Sequence, residues 1–180
     1  MTYRNVISAV VRALASEVIS PAGGCDFEPK VQKARIPGAI SGSAERLLDD
    51  ALVRRIMRET LTQLQYAALA GQYSTDGPRK HAGVNLLIKW IESPAPERFI
   101  ECACWTWAYP KKEGGEGKRS VAVLPAGWYE MDNWCDEPAN IKTQQRWRRE
   151  IHKELKSIAD GALAVLQEQL EQVGAIAEAA

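Results

Sequence analysis

Six basic residues crowd one short stretch of the chain: Lys142, Arg146, Arg148, Arg149, Lys153 and Lys156, with Trp147 among them. Arg146, Arg149, Lys153 and Lys156 are spaced three, four and three residues apart, which places them on one face of a helix. The stretch reads as the start of a long helix. A helix N-terminus already carries partial positive charge, so acids are favoured there and bases add repulsion. An external anion would relieve that conflict. A phosphate backbone is a natural one, since basic side chains and free N–H groups would both point towards it. Trp147 and Gln144–Gln145 would add stacking or base-edge contacts. The competing reading is a solvated face. In it Glu150 and Glu154 pair with neighbouring bases, and Asp136 and Glu137 fold back over the helix start.

Two other segments offer contacts of the same kind. Arg79 and Lys80, followed by His81, begin a predicted helix, and Arg54, Arg55 and Arg58 lie on the helix before it. A recognition helix presents its N-terminal residues to the major groove. Here, however, the preceding helix and the turn are both long for that motif. The second segment is rich in strand formers: Phe99, Ile100, Cys102, Cys104, Trp105, Thr106, Trp107 and Tyr109. Strand alternation puts Trp105, Trp107 and Tyr109 on one side and Ile100, Cys102 and Cys104 on the other. An open aromatic side would suit unpaired bases or a protein hot spot, with Lys111, Lys112, Lys118 and Arg119 close by. Buried rings on both faces are the plainer alternative.

Catalytic and metal signatures are sparse. Cys102 and Cys104 form one close pair, whereas structural zinc sites show two pairs with wider spacing; the thiols read as buried and reduced, and no metal or cofactor is expected. Gly117-Lys118 is followed by Arg119, and position 112 is Lys, so Gly114–Ser120 departs from the phosphate-binding loop pattern. There is no GxSxG and no HExxH. His81 and His152 are the chain's two histidines, so a Cys–His catalytic pair would have to be assembled by the fold, with Cys25 or Cys135 as nucleophile. No catalytic residue is assigned.

The elements that must position these residues follow from periodicity. Residues 1–20 hold a first helix, with Ile7, Val10, Val11, Leu14 and Val18 on one face. Residues 21–43, with their Pro and Gly, read as a loop or linker. Residues 44–93 read as a helical hairpin. Its first helix runs from Ser43 to about Ala70 along a stripe of Leu48, Leu52, Ile56, Leu64 and Ala68, with Gly71 as the stop, and its second starts at Pro78. Residues 98–124 read as a β-hairpin, with Arg119–Leu124 as the returning strand. Residues 125–139 form a loop in which Trp128, Tyr129 and Trp134 pin the chain to the body. A long helix fills 140–180, starting at Asn140 or Thr143 and running to about Val173. Along it Ile151, Leu155, Ile158, Ala162, Val165 and Gln169 alternate in steps of four and three, and ordinary bundle packing is preferred over a dimeric coiled coil. The expected fold is mainly α (α+β): a single-domain helical bundle with a long C-terminal helix and a small antiparallel β-hairpin.

The 180 residues, 46% hydrophobic and 26% charged, suffice for one domain with a real core. Net charge is zero but unevenly spread. Residues 1–156 hold all 23 basic residues against 19 of the 23 acidic ones, a surplus of four positive charges. No run approaches the roughly 20 apolar residues of a membrane span, and Arg12 interrupts the apolar run Val6 to Leu14, against a signal peptide. A cytoplasmic protein is expected. The sequence thus predicts a small non-enzymatic regulatory protein that binds DNA or RNA through the basic helix start. The alternative is a protein-interaction module or homodimer that uses the Trp-rich strand or the long helix.

Overall fold

The computed structural model describes residues 3–15, 43–111, 122–135 and 139–176. These form six α-helices: α1 Val6–Ala15, α2 Ser43–Thr60, α3 Gln63–Tyr73, α4 Gly77–Trp90, α5 Glu97–Ala108 and α6 Ile141–Gln172. Two short 3-10 turns, Ala126–Tyr129 and Met131–Asn133, lie between α5 and α6. No strand occurs among the described residues. No helix among them is long and apolar enough to cross a membrane. The linker 21–43 lies, all but its last residue, outside the described residues.

The long helix α6 is the spine. Its 32 residues span about 48 Å at 1.5 Å per residue. Asn140 caps its start by accepting from the Lys142 N–H at 2.9 Å. Gly174, with φ of 68°, turns the chain at its end, and the Ala175 N–H donates back to the Leu170 carbonyl at 2.9 Å. The buried seam is Ile151, Leu155, Ala159, Ala162, Leu166 and Leu170, not the heptad-like series containing Val165 and Gln169. Its steps of four, four, three, four and four return every eleven residues, which keeps the stripe on one side of a nearly straight helix. Two cores sit end to end along this seam. Ile151, Leu155 and Ala159 join α4, α5 and Trp134. Ala162, Leu166 and Leu170 join α1 and α2. Helix α3 bridges the two, with Ala67 and Ala68 in the first core and Leu69 in the second.

Among the described residues the β-hairpin predicted over 98–124 is absent, and residues 112–121 of it lie outside them. Residues 97–108 form α5, and Ala122–Leu124 are not extended into a ladder. Burial outweighs the propensity signal. Helix propensities of ordinary residues differ by at most about 0.7 kcal/mol each. Burying a large apolar side chain contributes about 1.5–3 kcal/mol. In α5, Phe99, Ile100, Cys102, Ala103, Cys104, Thr106 and Ala108 are all buried, a helix enclosed on most of its circumference. The sequence holds a helix-start signal there too, Pro96 followed by Glu97 in the first turn.

The long first arm of the predicted helical hairpin is two helices. The chain breaks at Leu61–Thr62, where a capping box forms. The Thr62 hydroxyl accepts from the Gln65 N–H at 3.2 Å, and the Gln65 side chain accepts from the Thr62 N–H at 3.0 Å. Val53, Ile56 and Met57 of α2 are buried, while Leu48 is 71% exposed, so the apolar face is rotated from the predicted stripe. In α1 the buried series is Val6, Ala9, Val10, Ala13 and Leu14, with Ile7 facing outwards. A half-buried polar knot ties α1 and the residues before it to α2. The Tyr3 hydroxyl donates to Asp50 at 2.6 Å, and the Arg12 guanidinium pairs with the same carboxylate at 3.2 Å.

Gly71 does not stop α3, which continues to Tyr73. It is buried against α4, and its partner in the close crossing is Gly83. A Cβ on Gly83 would sit 2.7 Å from the Ala67 carbonyl oxygen and 3.2 Å from the Gly71 nitrogen. Gly83→Ala must therefore push α3 and α4 apart. A loss of about 1–3 kcal/mol in chemical denaturation is expected. An unchanged midpoint would contradict this packing.

Candidate nucleic-acid interface

The basic cluster occupies the first five turns of α6. Gln145, Arg148, Arg149, His152, Lys153 and Lys156 line one side of a groove of about 550 Å³ whose other wall is Met131. Lys142 and Arg146 lie exposed at its shoulder. Among the described residues, no carboxylate stands within ion-pair distance of Lys142, Arg146, Arg148, Arg149, Lys153 or Lys156. Glu150 and Glu154 share the helix but do not line the groove, and the neighbouring charge of Glu92 helps raise the Glu154 carboxyl above its usual range after burial has done most of it. Asp136 and Glu137 lie outside the described residues.

The expected conflict between the bases and the helix dipole is confined to one residue. Since α6 begins at Ile141, Lys142 is the only member of the cluster in the first turn. The dipole's influence fades within that turn. What distinguishes the surface is the gathering of cations along an open groove with no described carboxylate at ion-pair distance, not a conflict with the helix end.

Tertiary contacts fix the groove. Trp134 is 1% exposed, its indole N–H donates to the Trp128 carbonyl at 2.9 Å, and its ring meets Phe99 edge-on at 5.0 Å. This anchors the Met131–Asn133 turn against α5 and α6. The Arg148 guanidinium, which lines the groove, lies 5.7 Å from the centre of the Trp134 ring. His152 is half-buried, and its Nε2 is 3.1 Å from the Ala103 carbonyl of α5. A carbonyl only accepts, so Nε2 carries the hydrogen and Nδ1 the lone pair. Burial and then the Arg148 charge lower the His152 pKa, the Ala103 bond opposing them.

Other predicted site residues are placed elsewhere. Trp147 turns inwards, its ring 5.6 Å from Phe99. Arg79 donates to the Leu14 carbonyl at 3.1 Å, and Lys80 donates to the Gln72 carbonyl at 3.4 Å while lying 4.4 Å above the Tyr109 ring. Both hold α4 to its neighbours. Lys112, Lys118 and Arg119 lie outside the described residues. The aromatic row dissolves because α5 is a helix. Trp105 and Tyr109, one turn apart, stack at 6.0 Å. Trp107 faces the other way, against Gly71 of α3. Cys102 and Cys104 no longer share a face either. Burial pushes their thiols up, to about 11 and about 12. Among the described residues, no three potential ligands converge on a metal position. A larger cavity of about 1380 Å³, between α5 and the 3-10 turns, is lined by both signs of charge, including Arg98, Glu101 and Asp132.

Sequence reasoning misses His152 and Met131 as groove residues, and it names Arg148 in the cluster but leaves it off the shared basic face. His152 and Arg148 carry a signal, since positions 145, 148, 149, 152, 153 and 156 form a single helical face. Met131 carries none, because its approach depends on Trp134. The chain matches no family model, no curated protein and no solved structure.

A pH dependence follows from His152. With its folded pKa below the ordinary 6.5, the unfolded chain binds the proton first as pH falls. Stability is therefore full above pH 6.5 and declines through the window from 6.5 down to the folded pKa. His152→Gln, which keeps a donor for Ala103, should flatten the dependence of the unfolding free energy on pH in that window. An identical slope in wild type and variant would refute the assignment.

Proposed function

We propose that the protein is a small nucleic-acid-binding regulator, not an enzyme, and that the basic face of α6 is its phosphate-contacting element. One observation carries the reading: six cations within fifteen residues have no described carboxylate at ion-pair distance. Exposed ion pairs contribute only about 0–1 kcal/mol, so stability does not call for such a cluster. A polyanion gains from it directly, through release of condensed counterions. The concave setting favours strand over surface: Arg149, Lys153 and Lys156 line a groove together with an imidazole and a thioether. Such a protein would act in the cytoplasm.

Binding should be salt-dependent. Replacing Arg149 and Lys153 together by Ala should weaken it, and the slope of log affinity against log salt should fall by about 0.7–0.9 for each phosphate that the variant no longer neutralises. Lack of a gel shift at low salt on duplex DNA, single strands and structured RNA alike would end the proposal.

A second reading, a protein-interaction module or homodimer, draws on α2, where Leu47, Leu48 and Leu52 are exposed by 40%, 71% and 38%. An association that survives about 0.5 M salt in size-exclusion chromatography would favour it, because that ionic strength screens exposed charges.

A further inference from the structure

Resting on the reading above, we infer that the groove between α6 and the Met131 turn takes an unpaired nucleotide, so that the preferred ligand is single-stranded DNA or RNA and not duplex. The groove, about 550 Å³ and open along its length to solvent, has room for one nucleotide unit. The division of its walls suits the two halves of a nucleotide. Arg149, Lys153 and Lys156 supply cations for the phosphates on either side. Met131 supplies a polarisable thioether, and Arg148, with Trp134 beside it, a guanidinium plane; both are surfaces on which a base can lie.

His152 adds a polar handle of defined sense. Its Nε2–H is committed to the Ala103 carbonyl, which leaves Nδ1 as an acceptor on a ring that lines the groove. The Arg148 charge from α6 and the Ala103 carbonyl from α5 act on this ring, and Arg149, Lys153 and Lys156 of α6 line the same groove. Burial and Arg148 both act to keep it neutral, so it offers a lone pair and not a further cation. Every base has an N–H donor on its Watson–Crick edge. In a duplex that donor is consumed by pairing; in a single strand it is free. The site therefore tolerates sequence while selecting against paired bases.

Fluorescence anisotropy separates this inference from the broader reading. The probes are a labelled 12-nucleotide DNA strand of mixed sequence and its RNA counterpart, each alone and annealed to its complement, at one fixed salt concentration. Each strand should bind about tenfold more tightly than its own duplex, the scale of one stacked base. Met131→Lys adds a positive charge but removes the thioether surface. It should weaken strand binding several-fold, whereas a purely electrostatic surface would bind every probe more tightly. Equal or tighter binding of duplex, or strand binding strengthened by Met131→Lys, overturns the inference while leaving nucleic-acid binding intact. Absence of binding to all four probes overturns the broader reading with it. A matching thermal unfolding midpoint for Met131→Lys shows that the variant is folded, and the wild-type strand-to-duplex ratio tests the inference without any variant.

Discussion

Everything in this fold depends on one buried stripe along α6. Six aliphatic side chains, Ile151 to Leu170, leave water on a single side of a 32-residue helix. An isolated helix gains too little from its own hydrogen bonds to be secure, and most helical stability in proteins comes from packing of such a face. Here the packing is divided between two cores that share the helix. Neither core is closed without it. Helix α3 can bridge them because Gly83 lets the backbone of α4 approach it closely at Ala67 and Gly71.

The same stripe arranges the charges. Once Ile151 and Leu155 point inwards, helical geometry sends Arg149, Lys153 and Lys156 to one flank and Glu150 and Glu154 to another. Residues adjacent in sequence are thus kept apart in space, and the cations on the groove side meet no described carboxylate. The groove has its second wall because Trp134 is buried against Phe99 and carries the Met131 turn with it. Packing and electrostatics are coupled through one indole, which also seats Arg148.

The two departures from expectation with the widest effect differ in cause. Over residues 98–109 strand propensity misleads, because it measures fit to a half-buried pleated surface more than a backbone preference. That environment does not exist here, and α4 and α6 instead offer a slot that buries most of a helix. The change of period moves every side chain: Trp105 and Tyr109 remain neighbours, while Trp107 leaves them. Over Ser43–Ala70 the cause is local. Thr62 and Gln65 form a capping box that is visible in the sequence, and an unbroken run of helix formers obscures it.

By itself, the sequence determined what is periodic or local. It set the long C-terminal helix from near Asn140 to near Val173, the placing of Pro78 in the first turn of α4, and the one-sided crowding of bases on α6. These depend on neighbours within a few residues, whose geometry a helix fixes in advance. Only the tertiary structure decided that 97–108 is helical, that Trp147, Arg79 and Lys80 serve the interior, and that His152 and Met131 face the cations. Those outcomes depend on which surfaces meet. Burial contributes more free energy than propensity, and it is not encoded in the spacing of any single segment.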